Sequence, residues 1–347
     1  MEPGAGAWCR GPEVCFRLLD QDQRLAGVRL GSGAFPRGAD LTFAYDPADH
    51  AWELRRPRPP VRRLEYKLEL THPEGRTEWV CDPDNPLRVG GGFGDSSELR
   101  CDDYREPAWL TLPQVHGAWR DVYLPLPAVR GEMVAQVWSP DASTGRVVIA
   151  HDGPDYHRFG ELGRYAAAMI GAGQVPPFHL VLLPPGERFE WYSASPAYAR
   201  ALARDALPKL AAELGADRPV VGIGASLGGL AMLHAQRRHP AAFGGLFLQS
   251  ASLFQPRFDR QESGFGRYLR IVRFTGRVRR RPDGPAVPIT LTCGAVEENL
   301  ANNKDMAAVL SGHGYDVSFD EVPDAHTWIG WRDALDPYLT TLLQKVF

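Results

Sequence analysis

Several things are scarce in this sequence of 347 residues, and each scarcity closes off a class of protein. Cysteine is one. Cys9, Cys15, Cys81, Cys101 and Cys293 are scattered, odd in number and without C-x-x-C spacing. That pattern predicts the reduced thiols of a cytoplasmic protein rather than a disulfide frame or a zinc site. No metal and no other cofactor is expected. An excess of one charge is also missing. The net charge is -3 and the isoelectric point about 6.4, which excludes nucleic acid as the main partner. No apolar run approaches a membrane span, so no membrane partner is expected. The opening residues, Met1-Glu2-Pro3-Gly4-Ala5-Gly6, have neither the basic nor the apolar region of a secretory leader. No internal repeat is visible.

What is present is an ordinary apolar fraction, 44%, enough for a sizeable core, in a chain long enough for two domains. Residues 1–12 are small and polar and are expected to be flexible. From 13 to 107 short strands alternate with turns. Val14–Leu18, Leu41–Tyr45, Arg63–Leu70 and Thr77–Val80 are read as strands, and the stretch as an all-β, immunoglobulin-like sandwich. Asp82–Pro86 and Gly90–Gly94 are read as loops. Within the sandwich, Trp52, Tyr66 and Trp79 are expected in the core rather than on a stacking surface. From 108 to 347 the rhythm becomes strand–helix. Arg146–Ala150 is a continuous apolar run and His179–Leu183 another buried strand, as suits strands covered on both faces, and Gly245–Ser250 and Ile289–Cys293 are two further strands. Leu162–Ala172, Pro196–Leu214 and Asn302–Ser311 read as helices. The expected class is α/β: a mostly parallel, doubly wound sheet preceded by a sandwich. Two basic runs, Arg55-Arg56-Pro57-Arg58 and Arg277–Arg281, are read as solvated loops, with a lid as the alternative reading of the second.

Chemistry concentrates at Val220-Val221-Gly222-Ile223-Gly224-Ala225-Ser226-Leu227-Gly228. A β-branched run enters a Gly-x-Ser-x-Gly turn, and an apolar helical segment leaves it. That is the context of a nucleophile elbow, which exposes a serine at a strand tip and aims the next N–H, here that of Leu227, at an oxyanion. A serine hydroxyl needs a general base held by a third group. Among ten histidines, His326 stands beyond the last strand, where that base is expected. The acid should follow a strand between serine and histidine. Glu297 is preferred, Glu298 is second, and Asp324 is read as shaping the histidine loop. A second oxyanion N–H should come from His151-Asp152-Gly153-Pro154-Asp155. Gly153 is favoured over Asp155, since Pro154 carries no N–H. Asp152, Arg188, Glu190 and Trp191 are expected to contact substrate, against the plainer alternative of an internal Arg–carboxylate pair.

The elbow, His151-Asp152-Gly153, Arg188-Phe189-Glu190-Trp191-Tyr192 and His326-Thr327-Trp328 with Trp331-Arg332, together with Leu64-Glu65-Tyr66 and Asp82–Pro86 in the front part, resemble the enterochelin (enterobactin) esterase family. The resemblance runs over nearly the whole chain. It implies an N-terminal sandwich before an esterase-D-like α/β-hydrolase domain. It further implies a cytoplasmic serine esterase opening the ester bonds of a catecholate trilactone siderophore. Asp324-Ala325 stand before the histidine where the family commonly has glycines. The expected partner is a small-molecule ester, with the ferric siderophore as the family's example; the oligomeric state is not predicted. An acyltransferase with the same triad, and a binding protein on a hydrolase scaffold, are the alternative readings.

Overall fold

The computed structural model describes residues 6–216, 219–282 and 286–347. Two compact units share the chain. The first holds residues 1–105 together with Gly294–Glu297 and Pro323–Gly330. The second holds Glu106–Cys293, Glu298–Val322 and Trp331–Phe347.

The first unit is built from β1 (Gly6–Arg10), β2 (Glu13–Leu19), β3 (Gly27–Gly31), β4 (Ala44–Asp46), β5 (Ala51–Pro57), β6 (Arg63–Thr71), β7 (Thr77–Val80), β8 (Arg88–Val89) and β9 (Ser96–Arg100). One sheet runs β1-β2-β5-β4; the other runs β3-β6-β9-β8, with β7 added on β6. Alternation explains the packing. In β6, Leu64, Tyr66 and Leu68 point into a core shared with Phe16, Leu18 and Leu54 of the other sheet, while Arg63, Glu65 and Lys67 take the opposite face. Burying each such apolar side chain is worth about 2 kcal/mol.

Two expectations about this unit are corrected. The stretch before residue 13 is not loose throughout: Gly6–Arg10 pairs antiparallel with β2, Cys9 opposite Val14. Nor are all cysteines reduced. Cys9 and Cys101 form a disulfide, with Cα atoms 5.3 Å apart across a sequence separation of 92. The strand pairing carries Cys9, while Cys101 lies one residue past β9, so the fold creates a proximity invisible in the spacing. Cys15, Cys81 and Cys293 stay outside any disulfide. Of the three sandwich aromatics, Trp52 and Tyr66 are core residues, whereas Trp79 is half-exposed. Arg55 and Arg56 extend from β5 to Glu53 and to the Asp40 carbonyl, and Arg58 pairs with Asp103.

The second unit carries β10 (Gly117–Leu126), β11 (Gly131–Pro140), β12 (Val147–Ala150), β13 (His179–Leu182), β14 (Val220–Ala225), β15 (Phe243–Gln249), β16 (Ile289–Gly294) and β17 (Val317–Val322). They form one eight-stranded sheet in the order β10-β11-β13-β12-β14-β15-β16-β17. The first pairings are antiparallel and those from β13 to β16 are parallel. β12, β14 and β16 are buried at every position, as strands with helices on both faces must be. The helices along the described chain are α1 (Gly153–Arg158), α2 (Leu162–Gly171), α3 (Arg188–Trp191), α4 (Pro196–Ala201), α5 (Leu207–Leu214), α6 (Leu227–Arg238), α7 (Tyr268–Arg280), α8 (Leu300–Gly312), α9 (Trp328–Asp333), whose first three residues are counted with the first unit, and α10 (Thr340–Val346). α5 stops at Gly215, whose φ of 62° is the left-handed cap a glycine adopts without strain. The basic run at 277–281 is not a loop. It ends α7, whose Tyr268, Ile271, Phe274 and Val278 form a buried stripe. No helix among the described residues is long and apolar enough to cross a membrane.

Candidate active site

The serine turn takes its shape from small residues. β14 ends at Ala225 and α6 begins at Leu227, leaving Ser226 alone between them with φ 54° and ψ -124°. A non-glycine residue in that region is strained, and the surroundings hold it there. The Ser226 N–H donates to the Gln249 carbonyl at 2.9 Å, and its own carbonyl accepts from Ser252 N–H at 3.0 Å. The approach of helix to strand depends on Gly224, where an added Cβ would stand 2.4 Å from the Gly228 backbone. The Ser226 Oγ lies 3.2 Å from the hydroxyl of Ser252. Ser252 was not foreseen; its only sequence signal is a Ser-Ala-Ser triplet behind the strand next to the elbow. Leu227 opens α6, so its N–H lies in the first turn, where no helical carbonyl is available to it.

Behind the elbow lies a buried aromatic and histidine cluster. His151 donates from Nδ1 to the Gly228 carbonyl at 3.0 Å and accepts at Nε2 from the Tyr198 hydroxyl at 2.8 Å. Burial pushes its pKa down to about 4, so the ring is neutral. Asp152 is buried, and Arg188 grips both its oxygens at 2.8 Å. Burial works against the guanidinium's charge, yet the Asp152 carboxylate holds its pKa above the usual value.

These contacts change several expected roles. The N–H of Gly153 does not await an oxyanion: it donates to the Leu183 carbonyl at 2.9 Å. Gly153 is glycine because a Cβ would meet Leu182 at 2.4 Å. Asp155, in the same first turn of α1, is the remaining expected donor on that loop. Trp191 packs inward. It is 8% exposed and stacks on Tyr198 at 5.4 Å. Glu190 is engaged by Arg267 at 2.7 Å and Arg270 at 2.6 Å. Asp152 and Arg188 serve first as each other's counter-ion. Phe189 is the member of that block that faces outward, edge-on to Phe265 at 5.7 Å.

In the first unit, the acid and the histidine meet. Gly294–Glu297 is a tight turn in which Glu297 Oε1 accepts from Gly294 N–H at 2.8 Å. Its Oε2 lies 2.6 Å from His326 Nδ1. The carboxylate is 2% exposed and the imidazole 41%. A buried carboxylate on Nδ1 orients the ring and fixes the proton there, leaving Nε2 as the acceptor. Glu298 turns away to Gln261 at 3.2 Å, and Asp324 goes to Arg63 at 3.0 Å. His326 borders a cleft of about 320 Å³ in this unit, also lined by Ser32, Glu65, Lys67, Trp79 and Ser96. Among the described residues, no group of His, Cys, Asp and Glu side chains could hold a metal ion.

Comparison with known proteins agrees with the architecture. The chain is similar in structure to the enterobactin esterase FES of Shigella flexneri, crystallised in the presence of enterobactin. The TM-score is 0.80 at 18% identity, over 100% of this chain and 97% of that one. The ferric enterobactin esterase of Salmonella typhimurium matches with a TM-score of 0.79 at 18% identity, over 96% and 94% of the two chains. In sequence, the uncharacterized protein YjcH of Bacillus subtilis (strain 168) is 24% identical over 210 residues, 57% of this chain and 84% of its own length. The family model described as a putative esterase matches residues 127–342, and so the elbow sheet described above belongs to a member of the putative esterase family, hydrolases that act on carboxylic esters.

Proposed function

We propose that the protein is a serine esterase working through an acyl-enzyme, with Ser226 as nucleophile, His326 as base and Glu297 as orienting acid. The observation that carries the reading is the 2.6 Å contact between His326 Nδ1 and a carboxylate that is nearly fully buried. Ser226 Oγ attacks the ester carbonyl while its proton passes to His326 Nε2. Glu297 stabilises the imidazolium. The tetrahedral oxyanion accepts hydrogen bonds from Leu227 N–H and from the first turn of α1 at Asp155, and each such donor is worth about 3 kcal/mol at the transition state. The imidazolium then protonates the departing alcohol. Water, deprotonated by the same nitrogen, releases the acid and frees Ser226.

For substrate we propose an ester of an aromatic, anionic acid such as a catecholate trilactone siderophore. The fold it shares with the Shigella flexneri enterobactin esterase, crystallised in the presence of enterobactin and of 2,3-Di-hydroxy-N-benzoyl-glycine, supports this reading. So does the cleft at His326, where a half-exposed indole and the Lys67 ammonium suit an anionic ring. A cytoplasmic place of work loses the support it drew from the cysteine spacing, because disulfides such as Cys9–Cys101 persist in oxidising compartments.

The test is hydrolysis of p-nitrophenyl acetate and of a ferric catecholate trilactone, followed by mass spectrometry. Ser226→Ala is expected to lower turnover by about a thousandfold or more while the folded circular-dichroism spectrum is kept. Substantial residual turnover would reject Ser226 as nucleophile. Acyl transfer to an added alcohol in preference to water would replace hydrolysis by the transferase reading.

A further inference from the structure

The register of β6 on β9 sets Arg63 opposite Arg100 and Glu65 opposite Glu98, so these side chains share the face turned away from the sandwich core. Alternation alone predicts that face to meet water. Instead, Arg63 and Glu98 are each 1% exposed. The unit's own segment Pro323–Gly330 folds over them. The Arg62 N–H donates to the Pro323 carbonyl at 3.0 Å. Arg63 Nη1 donates to Asp324 Oδ2 at 3.0 Å and to Thr327 Oγ1 at 3.2 Å. Its Nε and Nη2 donate to Glu98 at 2.6 Å and Glu65 at 2.8 Å. The segment is closed on itself as well. Asp324 Oδ1 accepts from Ala325 N–H at 2.7 Å and from the Thr327 hydroxyl at 3.2 Å, and Thr327 Oγ1 accepts from Gly330 N–H at 3.0 Å.

His326 lies inside this ring of contacts, with a bonded residue on each side. A buried ionic cluster adds little net stability, because desolvation consumes most of the attraction, and apolar replacements are often as stable. What a guanidinium offers is direction: a planar fork that holds several acceptors at fixed angles. We infer that Arg63 is a positioning residue, which through Asp324 and Thr327 fixes the backbone on both sides of His326 and so sets the imidazole against Glu297. The inference rests on His326 being the base. It also gives the N-terminal sandwich a part in the chemistry: β6 and β9 hold the histidine segment.

The experiment uses the full-length protein and compares Arg63→Met, Asp324→Ala and Leu54→Ala. Leu54 is a core residue of the same sandwich, on β5 of the other sheet and outside the ring of contacts, and serves as the control for simple destabilisation. Each variant is assayed with p-nitrophenyl acetate at least 15 °C, as an order-of-magnitude margin, below its own melting midpoint. Arg63→Met and Asp324→Ala are expected to lose about tenfold or more in kcat, with KM within about threefold, as follows when the base is misplaced but the binding surface is kept. Leu54→Ala is expected to melt earlier and to keep its kcat. If Arg63→Met does not fold, Asp324→Ala decides, since it removes the pairing without opening the sheet. Wild-type kcat in the folded Arg63 or Asp324 variant would overturn the inference, as would an equal kcat loss in Leu54→Ala. Failure here is separable from failure of the esterase reading, which stands or falls with Ser226→Ala.

Discussion

His234 and His151 are held neutral by their surroundings, and this has a consequence for acid stability. His234 sits in α6 edge-on to Phe274 at 4.9 Å. Burial pushes its pKa down to about 3, and neighbouring arginines, Arg238 foremost, add to that. In the unfolded chain the same ring takes up a proton as pH falls through its ordinary value of about 6.5. The folded ring stays unprotonated until far lower pH. Its contribution to stability is therefore complete above pH 6.5 and is lost progressively below it, by about 3 kcal/mol at pH 4. His151 titrates in the same sense, but its two hydrogen bonds make it unsuitable for substitution. His234→Leu is nearly volume-conserving and should cost less than about 1.5 kcal/mol at pH 8. Urea unfolding of that variant between pH 6.5 and 4 should show a shallower loss than the parent. Identical slopes would mean that the ring is protonated in the fold.

At the scale of elements, the elbow depends on how near α6 can come to β14. Gly224→Ala places a methyl group 2.4 Å from the Gly228 backbone, and backbone atoms cannot step aside as a side chain would. The helix must lift, which is expected to cost about 3 kcal/mol and to displace Ser226. A melting curve and an active-site titration with a fluorophosphonate should both register the loss; a variant that melts and titrates like the parent would show that the turn has slack. The elbow was legible in the sequence because all its parts are local: a buried run, two flanking glycines and a helix. Most strands were legible for the same reason, since alternation along β6 and continuous burial along β12 and β14 show in the order of residues. α7 was not, although Tyr268, Ile271, Phe274 and Val278 carry helical spacing, because its arginines outweigh that stripe. The contacts of Gly153 and Trp191 were hidden for a different reason. What claims the Gly153 N–H is the Leu183 carbonyl, and what covers Trp191 is Tyr198; neither contact leaves a trace in local composition.

At the scale of the whole chain, sequence order and spatial grouping part company. The first unit takes in two short segments from near the C-terminus, Gly294–Glu297 and Pro323–Gly330, which carry the carboxylate and the imidazole. The first unit's leading stretch ends at Arg105, and the change of rhythm near residue 107 was legible in the sequence. That those two later segments group with the sandwich was not, because the grouping rests on Arg63 meeting Asp324 across hundreds of residues. The disulfide is hidden in the same way, and it bears on how this discontinuous unit survives. Linking Cys9 to Cys101 closes a loop of about 90 residues, which in the chain-entropy account removes roughly 4–5 kcal/mol worth of freedom from the unfolded state. Reduction, or Cys9→Ser, should therefore lower the urea midpoint. Because His326 is held within the same unit, esterase activity should fall along with it. Mass spectrometry after alkylation in denaturant should find three modified cysteines without reductant and five after reduction. Five alkylated cysteines in the unreduced protein, with an unchanged midpoint, would mean that the pair stays reduced in solution and would return the location of the enzyme to a reducing compartment.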